Sequence, residues 1–97
     1  MKTLYKIAFM NEKHELLQIY AGSVQMSDIF GLVEASDIVF IDSSELIINP
    51  EDDKIKKLFQ NVETTMIPIN SLIRIDKVLL QKDTSVIRLY QDNEKNN

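Results

Sequence analysis

No cysteine and no tryptophan occur in this 97-residue chain, and it holds two glycines, two prolines and one histidine. Without cysteine there is neither a disulfide framework nor a thiolate metal site. Gly22 and Gly31 are the only glycines, too few for a phosphate cradle of glycine backbone, and no G-x-S-x-G or H-E-x-x-H pattern occurs. His14 stands beside a predicted hairpin turn, where an exposed strand-start residue explains it better than the base of a nucleophilic triad. An excess of positive charge is also missing: the net charge is -4. Residues 1–49 carry three lysines against seven acidic groups, and residues 50–97 carry eight charges of each sign. The basic stripe that supplies most of a nucleic-acid binder's affinity is therefore absent, so nucleic acid is not an expected partner. Long apolar runs are lacking too. The opening Met1-Lys2-Thr3-Leu4 begins like a signal peptide, but Lys6 interrupts the apolar run and Asn11-Glu12-Lys13 ends it. No membrane span is expected, and the cytoplasm is the default compartment.

What remains is an ordinary globular composition, 44% hydrophobic and 27% charged, which excludes a disordered tail. Residues 1–90 are expected to form one domain, with residues 91–97 a frayed polar tail. Along residues 4–10, Tyr5, Ile7 and Phe9 alternate with Lys6, the period of a strand. Asn11-Glu12-Lys13 is the predicted turn, and residues 14–21 the antiparallel return, ended by Gly22-Ser23. Ser27 or Asp28 is suited to cap a single helical turn before Gly31 releases the chain. Residues 32–41 read as a strand bent near Ala35-Ser36, Asp42-Ser43-Ser44 as a turn, and Leu46-Ile47-Ile48 as a short buried strand.

A helix follows. Asn49 suits the N-cap, Pro50 the first helical position, and Glu51, Asp52 and Asp53 the positive end of the dipole. Ile55, Leu58, Phe59 and Val62 recur at i, i+3, i+4 and i+7, an apolar stripe that predicts docking on a sheet, and Asn61 suits a left-handed end. Pro68, with no N–H and a locked φ, bends the next strand or holds it at a sheet edge. Beyond it Arg74 and Asp76 face away from Ile73 and Ile75, the alternation of an antiparallel sheet with one wet and one dry face. Gln81-Lys82-Asp83-Thr84 is the predicted hairpin turn into residues 85–90. The sum is an α+β domain: five or six strands in a small, strongly bent antiparallel sheet or β-barrel, with one helix packed on it.

The segments Tyr5-Lys6-Ile7, Ser27-Asp28-Ile29-Phe30-Gly31, Asp37-Ile38-Val39-Phe40, Asn49-Pro50, Ile67-Pro68 and Ile73-Arg74-Ile75-Asp76-Lys77-Val78 resemble a small bacterial family called domain of unknown function 1820. The resemblance spans roughly residues 4–80 and implies no activity, cofactor or site.

Candidate chemistry is sparse. Glu51-Asp52-Asp53 lacks the alternating ligands of a calcium loop and is better explained by the helix dipole. Glu34 and Asp37, three apart in a strand, face opposite sides and make a poor acid–base pair. Lys54, Lys56 and Lys57 form the one basic cluster, which pairing with Asp52 and Asp53 at i,i+4 accounts for without a ligand. Arg74 and Asp76 share one strand face and are placed to bind each other, a cross-strand partner such as Arg88, or a ligand. These four cations are the candidate binding residues; no catalytic, metal or cofactor site is expected. The leading expectation is a non-catalytic interaction module with a protein partner, self-associating as a homodimer through a sheet edge. The rivals are an enzyme with an unrecognised site and a single-stranded RNA binder on an Sm-like or OB-like barrel. The RNA binder would stack bases on Tyr5, Tyr20 or Phe30 and hold phosphate with Lys54, Lys56 and Arg74.

Overall fold

A computed structural model describes residues 2–42, 50–80 and 85–88. In chain order they form β1 (Lys2–Met10), β2 (Leu16–Met26), β3 (Leu32–Asp42), α1 (Pro50–Phe59), β4 (Thr64–Pro68), one 3-10 turn (Ile69–Ser71), β5 (Leu72–Leu80) and β6 (Ser85–Arg88). The strands make one antiparallel sheet in the order β4-β3-β2-β1-β5, with β6 added to β3. One helix on an antiparallel sheet is the expected α+β class. Among the described residues β4 and β5, the two ends of the order, do not pair with each other, so the sheet is bent but not closed.

The first hairpin follows from local chemistry. Alternation sets Ile7 opposite Ile19 and Phe9 opposite Leu17, all four buried on one face. Between the strands the Asn11 side-chain oxygen accepts the backbone N–H groups of Lys13 (3.0 Å) and Glu15 (2.9 Å), an Asx turn written into the sequence. His14 closes it in the left-handed region (φ 60) and is exposed, so β2 starts two residues later than the pattern predicts.

Gly22 does not end β2, which continues to Met26. Ala21 and Val24 both pack on the core, as do Ala35 and Ile38. A spacing of three means that each strand changes face on the way, and the change falls where Gly22 lies opposite Asp37. Asp37 adopts φ 56, and a Cβ on Gly22 would stand 2.4 Å from Asp37 Oδ2. Glycine is thus required by close approach, and the bend lies at Asp37, just beyond its expected place. Ser27 caps no helical turn: its hydroxyl accepts the Ile29 N–H (3.0 Å) within a loop that Gly31 completes at φ 84.

Pro68 ends β4 opposite Leu32, and the Ile69 N–H then donates to the Gly31 carbonyl (2.9 Å), which fixes the corner into β5. The curvature is large. Phe9 of β1 and Ile67 of β4 line the same groove, although three strand spacings separate them in the sheet order, about 14 Å if the sheet were flat. Helix α1 fills the inside of the curl. Phe59 is 7% exposed and meets Phe9 edge-to-face, with ring centroids 6.4 Å apart, while Ile55 and Val62 pack against the same core. Leu58 departs from the expected stripe and is 46% exposed. The helix stops at Phe59 and Asn61 turns left-handed (φ 65), while Leu58 stands on the rim of the groove that Phe59 also lines.

Among the described residues β6 does not pair with β5, as the predicted hairpin would have it. β6 pairs with residues 39–42 of β3, because short β4 covers only residues 32–36 of that edge and leaves the rest open. Expectations for Leu46-Ile47-Ile48, the Asn49 cap, residues 81–84 and the tail at 91–97 lie outside the described residues.

Candidate functional site

The four candidate cations fall into separate contacts. The Lys54 ammonium, at the middle of α1, donates to the Glu15 carboxylate at the start of β2. That bond, aided by the Asn11 side-chain amide at 3.0 Å, holds the Glu15 carboxyl below its ordinary value. Lys56 lies over the Phe40 ring of β3, 4.4 Å from its centroid. Lys57 is exposed. Lys54 and Lys56 therefore reach across to β2 and β3, because side chains on the docked flank find partners there. Arg74 stands on the edge strand β5 and donates to Asp76 Oδ1 at 3.0 Å, the intrastrand pairing its spacing suggests. A single anion-binding cluster does not form from these contacts.

Two recesses flank the helix. The larger, about 400 Å³, opens where the curl leaves β1 and β4 apart, and its apolar walls include Phe9, Leu17, Leu58, Phe59, Met66 and Ile67. Glu12 is the one ionisable group lining it. The smaller, about 250 Å³, lies between Tyr20, Phe40 and Ile55, where β2 and β3 diverge. Glu34 is held by the Gln25 side-chain amide (3.2 Å) and Asp37 lies over Gly22, so the two have separate neighbours. No group of three or more potential metal ligands assembles among the described residues.

The most unusual surface is a sheet edge whose apolar exposure the sequence did not show. Strand β5 pairs only with β1 among the described residues, leaving a nine-residue edge. On it Ile73, Ile75 and Leu79 are 58%, 37% and 62% exposed, so residues expected to be dry are wet, and a register shift at Ile73 sets Leu72 on the side of Ile75 instead. Ile75 lies opposite Ile7, a fully buried residue, yet at the edge nothing among the described residues covers its outer side. A second apolar tip carries Met26, Ile29, Phe30 and Ile69, with Phe30 fully exposed.

A curled antiparallel sheet with a helix lodged in it and an uncovered apolar edge defines a small α+β domain whose distinctive feature is its surface. The chain belongs to the family described as Domain of unknown function (DUF1820), whose model matches residues 3–97. No curated protein and no solved structure matches it. Among the described residues no helix is long and apolar enough to cross a membrane.

Proposed function

We propose that the protein is a small, non-catalytic, cytoplasmic interaction module that engages a protein partner through the outer edge of β5. One observation carries this reading: a nine-residue edge strand whose Ile73, Ile75 and Leu79 stand in water. Unpaired N–H and C=O groups along such an edge add a strand of another chain, and apolar side chains beside them supply the driving force. Lys77 and Arg74 keep the edge soluble in the free state. Affinity capture from the native host, with wild type beside an Ile73→Lys, Leu79→Lys variant, tests it. A partner held by the wild type and released by the variant, then rebound from purified components, supports the module. Equal capture by both proteins refutes use of this edge.

A second reading, a single-stranded RNA binder on a small barrel, is favoured by the sheet itself, which curls in meander order with a 3-10 turn before its last long strand. Side-chain use argues against it. Tyr5 and Tyr20 are partly buried, and Lys54 and Lys56 are already occupied by Glu15 and Phe40, which leaves exposed Phe30 and Arg74 of the residues such a binder would use. The interaction module is therefore the better account.

A further inference from the structure

The chemistry of β5 singles out its own copy as the partner. We propose that β5 pairs antiparallel with β5 of a second molecule about a two-fold axis through Ile75, an inference that rests on the module reading above and names its occupant. In an antiparallel pair, directly opposed residues lie on the same face, so a symmetric pairing must have its axis through a residue and not between two. An axis through Arg74, Asp76 or Lys77 sets that charge against its own copy. An axis through Ile73 sets Arg74 against a leucine, and one through Val78 does the same to Asp76. An axis through Leu79 overlaps only the end of the strand.

Only the axis through Ile75 sets Arg74 opposite Asp76 of the partner, twice by symmetry, with Ile75 against its own copy. Both charges are accessible for this. The Arg74 and Asp76 side chains are 74% and 37% exposed, and the bond that joins them within one strand already holds them on one face. The pairing also covers the side of Ile75 that its neighbour Ile7 leaves open. The Lys77 stem lies opposite Ile73 of the partner, at the register shift beside Ala8 and Phe9 that ends the regular part of β5.

Sedimentation equilibrium of the full chain, through the micromolar range, tests the pairing by charge exchange. The wild type is expected to dimerise. Arg74→Asp or Asp76→Arg alone places like charges opposite each other at both symmetric positions, weakening the dimer about tenfold or more. An equimolar mixture of the two variants regains complementary pairs and forms a heterodimer, which tagged copies report. The double variant R74D/D76R restores the homodimer. Thermal melts followed by circular dichroism check that each variant is folded, which their exposure favours. A wild type that stays monomeric, a dimer indifferent to both single variants, or a mixture that forms no heterodimer overturns the proposal. If a monomeric wild type still captures a host protein through the β5 edge, the module reading stands and self-pairing falls.

Discussion

Replacing Phe59 by alanine tests whether the helix holds the curled sheet together. The ring is nearly buried, meets Phe9 edge-to-face and forms part of the wall where β1 and β4 stand apart. Truncating a buried phenylalanine costs about 3 to 5 kcal/mol, of which the aromatic pair accounts for about 0.5 to 1.5. Two features of the site place the loss near the lower limit. The ring borders a groove of about 400 Å³ instead of a sealed interior, so the gap opens to water and does not persist as a dry void. Ile55 and Val62 still hold the helix, as do the Lys54–Glu15 and Lys56–Phe40 contacts. A loss of about 3 kcal/mol is expected, which for a domain of this size lowers the melting midpoint by roughly 12 to 24 °C. Urea denaturation of wild type and Phe59→Ala, with the slope compared to check that both unfold in one step, measures it. A change below about 0.5 kcal/mol would mean that α1 does not dock through Phe59. A double-mutant cycle with Phe9→Leu and Phe59→Leu should return a coupling of about 0.5 to 1.5 kcal/mol; additive effects would remove the ring pair from the argument.

Gly22→Ala should destabilise by about 1 to 3 kcal/mol, because the new methyl meets Asp37 at the bend shared by β2 and β3; an unchanged unfolding midpoint refutes the close approach. Glu15 should titrate below its ordinary value, and Lys54→Met should bring it back up; side-chain NMR in which the two proteins titrate alike removes the contact. Because the folded-state pKa is lowered, the stability Glu15 contributes is complete above its unfolded pKa and disappears as pH falls through the folded one. His14→Gly should raise stability by up to about 1 kcal/mol, since glycine meets no steric penalty at φ 60, and a lowered melting temperature counts against that backbone conformation. Single-stranded RNA and DNA oligomers should show no micromolar binding by fluorescence anisotropy near about 150 mM salt. Salt-sensitive binding abolished by alanine at Lys54, Lys56 and Lys57 would bring the RNA reading forward.

Some of this molecule is dictated by neighbours along the chain. The alternation in residues 4–10, the Asn11 turn, the left-handed end at Asn61 and the Pro68 corner depend on a few adjacent dihedrals and hydrogen bonds, and local sequence determines them. Phe59 as a core anchor and the pairing of Arg74 with Asp76 were legible for the same reason, since helix and strand periods place side chains relative to their own element. Tertiary structure alone decided the rest. A period of two places Ile73 and Ile75 on one face, but the register shift sets Leu72 there in place of Ile73, and only the strand order says that both isoleucines lie on an outer edge, where they stay wet. Gly22 looks like a strand breaker until Asp37 is seen folded over it from a strand fifteen residues away, and β6 looks like a hairpin partner of β5 until short β4 leaves part of β3 unpaired. The lysine cluster on α1 was divided by contacts to Glu15 and Phe40, groups remote in sequence. Which neighbour a strand or a charge meets is fixed by long-range packing, and the surface left over from that packing cannot be read from periodicity.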